Sequence, residues 1–128
     1  MSDFDIEIVE QHWLPTLDED LCSHGTLRVS IGGVLIGTES DDLTDLGISR
    51  AALELLRTLD RDRDVADSQS KLIPHGCGFL SVPTSCPIGI DWSVRHADGL
   101  VTLDSVIVEP EISRPRRVDA RATVTWPA

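Results

Sequence analysis

Between Ile88 and His96 the chain alternates without exception: Ile88, Ile90, Trp92, Val94 and His96 fall on one parity, and Gly89, Asp91, Ser93 and Arg95 on the other. A period of two belongs to a strand, whose successive side chains leave opposite faces of the backbone. Ala97-Asp98-Gly99 then offers turn residues, and Val101 and Leu103 resume the alternation beyond them. The segment therefore predicts an antiparallel hairpin with one apolar face, and a fold able to bury that face.

Three further stretches share the pattern. Asp3-Phe4-Asp5-Ile6-Glu7-Ile8 places Phe4, Ile6 and Ile8 on one side and three carboxylates on the other. Leu27, Val29 and Ile31 lead through Gly32-Gly33 into Val34-Leu35-Ile36, a second predicted hairpin. Val118, Ala120, Ala122, Val124 and Trp126 alternate with Asp119, Arg121, Thr123 and Thr125 and predict a terminal strand. Only between Asp41 and Leu59 does the period change, with Ile48, Ala52, Leu55, Leu56 and Leu59 at helical spacing and Ser49 placed to cap the start. The expected class is α+β: an antiparallel or mixed sheet built largely from hairpins, with one main amphipathic helix, about residues 49–59, on one face.

The helix runs into Asp60-Arg61-Asp62-Arg63-Asp64 and a polar stretch that reads as a surface loop. Pro74, Gly76, Gly78, Pro83 and Pro87 predict a tightly turned connection before the hairpin. No linker or repeat divides the 128 residues, which fit a single domain over 1–128.

No run approaches the ~20 consecutive apolar residues of a membrane span. Met1-Ser2-Asp3-Phe4-Asp5 lacks the basic lead of an export signal. Cys22, Cys77 and Cys86 are an odd set, ill-suited to a disulfide framework. The expected compartment is the cytoplasm.

Charge is the most unusual property, with 22 acidic against 11 basic side chains for a formal −11. Residues 1–64 carry 15 acidic and 5 basic side chains, residues 65–128 carry 7 and 6, so the halves stand at −10 and −1. Such a field repels phosphate backbones and anionic lipid and attracts basic partners, although acidity also serves solubility. Two loop clusters concentrate it: Asp18, Glu19 and Asp20, and Glu39, Asp41, Asp42 and Asp45. Carboxylates near a helix start also interact favourably with its dipole, which gives the second cluster a local role.

Several constellations bear on chemistry. Cys22-Ser23-His24 and His75-Gly76-Cys77 each put a Cys and a His at i and i+2, on one side of an extended chain, and four such ligands satisfy tetrahedral zinc. Structural zinc sites usually place two to four residues inside each pair, and here there is one. Buried cysteines beside hydrogen-bonded histidines are the plainer account. Cys77 flanked by Gly76 and Gly78 is a second chemical option, a thiol nucleophile beside free backbone N–H groups. Asp60 to Asp64 resembles the opening of an EF-hand calcium loop but has Val65 where glycine is needed and Lys71 in place of the bidentate glutamate. Leu46-Gly47-Ile48-Ser49-Arg50-Ala51-Ala52-Leu53 is similar to the turn and second helix of helix-turn-helix DNA-binding domains; the acidic residues before it oppose that use. His96 ends the apolar face of its strand, at a sheet rim. Phosphate loops, dinucleotide fingerprints, G-x-S-x-G and H-E-x-x-H are absent.

The expectation that follows is a non-catalytic interaction or inhibitor protein, immunity- or antitoxin-like. It would bind a basic partner protein through Asp18, Glu19, Asp20, Glu39, Asp41, Asp42 and Asp45, and would need no cofactor. The alternatives are a small metal protein or Cys/His enzyme using Cys22, His24, His75 and Cys77, with zinc as the metal, and a helix-turn-helix-like DNA binder.

Overall fold

The computed structural model describes residues 3–13, 23–36, 46–68, 70–75 and 87–125. Within them the chain forms nine strands and one α-helix: β1 (Phe4–His12), β2 (His24–Ile31), β3 (Val34–Ile36), β4 (Leu46–Gly47), α1 (Ile48–Arg57), β5 (Ile73–Pro74), β6 (Gly89–Ala97), β7 (Leu100–Glu109), β8 (Arg116–Val118) and β9 (Ala122–Thr125). The class is α+β. Every strand pair is antiparallel, and the strands divide into two sheets.

The first sheet runs β1-β2-β3, with β4 also on β2; the second runs β5-β6-β7-β8, with β9 also on β7. Their inner faces share one core. β2 supplies Leu27, Val29 and Ile31, β6 supplies Ile90, Trp92 and Val94, and β7 supplies Leu103, Val106 and Val108, all buried. Phe4 from β1 meets Trp92 edge to face at a centroid distance of 5.7 Å, which joins the sheets through an aromatic pair. Removing a buried side chain of that size costs about 3–5 kcal/mol.

The turns follow from residues that tolerate positive φ. Gly32 and Gly33 turn β2 into β3 at φ 59° and 82°, and Asp98 and Gly99 turn β6 into β7 at 54° and 76°. Gly32 is also constrained by contact, because a Cβ there would lie 2.1 Å from the carbonyl oxygen of Arg121, in the connection between β8 and β9 of the second sheet. The sheets meet at this point backbone to backbone.

Three expectations need correction. The terminal strand is broken: β8 pairs with Val106–Val108 of β7 and β9 with Leu100–Leu103, and the Ala120 N–H donates to the Val118 carbonyl between them. The break lies opposite a bulge in β7, where Ser105 takes a positive φ of 54° and the register to β6 shifts. Ser49 does not cap α1; Gly47 holds the cap position without a side-chain bond, while the Ser49 hydroxyl accepts from the Ser23 N–H. The expected apolar stripe matches the buried face only in part, through Ile48 and half-buried Leu55. Ile48, Arg50, Ala51 and Glu54 are buried, whereas Ala52, Leu56 and Leu59 are exposed.

That face can be buried because its charges are neutralised locally. Glu54 Oε1 accepts from Arg50 Nη2 at 2.8 Å and from Arg57 Nη1 at 2.7 Å, partners about one turn before and one turn after it along the same helix. The helix touches β2 of one sheet and β5 of the other, so it packs against both sheets.

Candidate functional site

The acidic clusters named from the sequence, Asp18, Glu19, Asp20, Glu39, Asp41, Asp42 and Asp45, lie outside the described residues, as do Cys22, Cys77 and Cys86. His24 opens β2, is buried, and stacks on His12 at a centroid distance of 6.2 Å. His12 Nδ1 in turn lies 2.8 Å from Glu10 Oε1. His75 follows β5 in the other sheet and donates its backbone N–H to the Ile88 carbonyl. Among the described residues no group of three or more His, Cys, Asp or Glu is arranged to hold a metal ion.

The segment that resembles a calcium loop fastens itself to β6. Arg63 pairs its backbone with Val94 in both directions, and its guanidinium grips Asp91 through Nε at 2.9 Å and Nη2 at 3.2 Å. Nη2 also donates to the Ser70 carbonyl, and Val65 donates its N–H to the Ser93 hydroxyl. Asp64 accepts from the Ala66 N–H and starts a short 3-10 turn, Val65–Asp67. The first and second carboxylates of the five-residue run are spread apart rather than converged, since Asp60 lies exposed beside Arg61 and Asp62 turns to His96.

His96 stands at the rim as its parity suggests. Asp62 Oδ1 accepts from the His96 backbone N–H at 2.9 Å and lies 2.8 Å from its Nδ1, while Nε2 faces the Leu59 carbonyl at 3.2 Å. These bonds, the ring's first and the backbone's second, hold the Asp62 carboxyl below the usual aspartate range. Asp91 moves the other way, because burial raises its pKa against the opposing bonds from Arg63.

Two recesses emerge that the sequence patterns do not announce. A polar crevice of about 540 Å³ lies along the Asp62–Asp67 segment and includes Arg63, Arg95 and Asp104. Its two guanidinium groups are already committed, Arg63 to Asp91 and Arg95 to Asp104. The second is an apolar cleft of about 320 Å³ between the sheets. Buried Trp92, Val94 and Leu103 form its floor, and half-buried Phe4, Ile6, Leu55, Val101 and Val124 its walls. Thr58, Leu59 and His96 stand at the mouth. Each of these residues reads from the sequence as ordinary core or rim; that their faces leave a gap depends on the spacing between sheets, which periodicity does not encode.

The outer face of the first sheet differs from both recesses. Asp3, Asp5 and Glu7 are all exposed, on the opposite parity from Phe4 and Ile6. Among the described residues Arg28 pairs with one of them, donating to Glu7 Oε2 at 3.0 Å from the neighbouring strand. β1 forms an edge of its sheet, and Val9 bulges from it with exposed Ile8 alongside.

Comparison of the chain with family models, with curated proteins and with solved structures gave no match in any of the three. No described helix is long and apolar enough to cross a membrane.

Proposed function

We propose that the chain is a non-catalytic interaction protein, immunity- or antitoxin-like, that binds a basic protein partner through its acidic N-terminal half. The supporting observation is the bare acidic face of β1. Asp5 and Glu7, with Asp3 just before the strand, are exposed, and among the described residues Arg28 pairs with Glu7; they lie in the same half of the chain that holds Asp18, Glu19, Asp20, Glu39, Asp41, Asp42 and Asp45. A surface of one sign raises the encounter rate with a partner of the other and penalises like-charged competitors.

Capture from lysate at low ionic strength, followed by titration of the captured protein, tests this reading. It requires one basic partner that binds saturably and weakens as salt rises. Asp41→Lys, Asp42→Lys and Asp45→Lys together should weaken binding at least about tenfold, as expected when several complementary charges are inverted. Glu111→Lys with Asp119→Lys, on the second sheet's side, should leave it nearly unchanged. If no partner is captured, or if both variants behave alike, the reading is wrong.

A further inference from the structure

The apolar cleft has no part in a charge-driven interface, and its construction suggests a separate role. We propose that it is a binding site for a small, uncharged, predominantly hydrocarbon molecule.

Size sets the first limit. A cleft of about 320 Å³ falls within the range of ~300–1,000 Å³ typical of small-molecule sites. It is about twice an apolar cavity of ~150 Å³ that accommodates benzene. It therefore suits a fused bicyclic ring or a chain of roughly ten carbons, by the same scaling. Shape sets the second. Its walls come from β1, the end of α1, β6, β7 and β9, so they rise from both sheets and from the helix. Such a recess, open on one side, receives a small molecule between its walls, whereas a flat protein surface would leave it unfilled.

Chemistry sets the third. None of the described lining residues is Lys or Arg, so an anionic headgroup would find no counter-charge among them. The polar groups at the mouth are engaged within the fold: Thr58 Oγ1 donates to the Leu55 carbonyl, and the His96 ring lies between Asp62 and the Leu59 carbonyl. The Asp62 carboxylate just beyond the mouth, in a chain of formal charge −11, opposes an anion further. The Thr58 oxygen still has a lone pair and can accept from a ligand hydroxyl. A neutral alcohol or hydrocarbon fits these conditions, and a fatty carboxylate does not.

The test is a methyl-detected NMR titration of the full chain with n-decanol, naphthalene and decanoate. Decanol or naphthalene should shift the methyl signals of Ile6, Leu55, Val94, Val101 and Leu103 saturably, with Kd on the order of 100 µM or tighter for ligands of that size. Decanoate should bind at least about tenfold more weakly, for want of a counter-charge. Val101→Phe and Val124→Phe, two independent ways to fill the cleft, should weaken decanol at least about tenfold in whichever variant keeps the wild-type spectrum elsewhere. The proposal is overturned if neither neutral probe gives a saturable shift, if the shifts fall away from these methyls, if folded cleft-filled variants bind as the wild type does, or if decanoate binds as tightly as decanol.

Discussion

The outer faces of the two sheets use charge in opposite ways. On the second sheet the outward Asp91 and Ser93 of β6 are covered by the segment after the helix, while Arg95 stays exposed and pairs with Asp104. Arg63 and Asp91 are only 15% and 6% exposed and form a bidentate contact. Lys71 reaches Glu109, which also accepts from the Ser113 N–H. On the first sheet Glu7 and Arg28 are 57% and 48% exposed, and Asp3 and Asp5 face solvent beside them. A buried pair cannot lose one member without leaving the other desolvated, whereas an exposed pair exchanges its partner for water. The buried charge of the second sheet is thus part of its architecture, and that of the first stays in contact with water.

The comparison can be strained first where the sheets touch. Gly32→Ala forces a side chain into a left-handed backbone and onto the Arg121 carbonyl, so it should cost roughly 3 kcal/mol, well above the ~1–2 of positive φ alone. Gly33→Ala, with φ of 82° and nothing within 4 Å of its Cβ, should show only the smaller cost. Urea denaturation of the pair separates conformational strain from collision. Equal losses would mean that the second sheet does not press on this turn.

The bulge of β7 offers a smaller effect of opposite sign. Ser105 is exposed at a positive φ of 54°, so Ser105→Gly should raise stability by about 1 kcal/mol or less, seen as a higher Tm. A loss would indicate that the serine's contacts outweigh its strained backbone.

The smallest effect concerns the clasp at His96, and it depends on pH. The Asp62 carboxyl titrates lower folded than unfolded, so its contribution is present above the unfolded pKa and disappears as pH falls through the folded value. Wild type should therefore exceed Asp62→Ala in Tm at pH 6, and the gap should close in strong acid. Asp91, whose pKa burial raises, acts with the opposite sign in both proteins and cancels in the difference. A gap that persists unchanged in acid would assign the clasp to something other than ionised Asp62.

These elements were unequally legible in the sequence. Alternation from Ile88 to His96 located β6, and the Asp98-Gly99 and Gly32-Gly33 pairs sit where the chain reverses. The break between β8 and β9 has no signature in the sequence because Val118, Ala120, Ala122 and Val124 keep the same parity through it; burial continues while the ladder to β7 stops. The bulge did leave a trace. Buried Leu103 and Val106 are separated by two residues instead of one, a parity slip that an inserted residue produces. In α1 the buried face keeps Ile48 of the apolar stripe but takes in Arg50 and Glu54, which neutralise each other, and leaves Leu56 outside. The cleft had no local signal at all, since each wall is a normal strand or helix face and the gap exists only between them. The acidic clusters proposed for partner binding lie outside the described residues, so the site's charge was legible as composition and its geometry was not.

The contrast between the sheets is tested most directly by one matched measurement, the unfolding free energies of Arg63→Met and Arg28→Met in urea at neutral pH. Removing Arg63 leaves Asp91 buried without its partner and should cost about 3–5 kcal/mol, while removing Arg28 exposes Glu7 only to more water and should cost less than about 1 kcal/mol. Similar losses from the two substitutions would contradict the account.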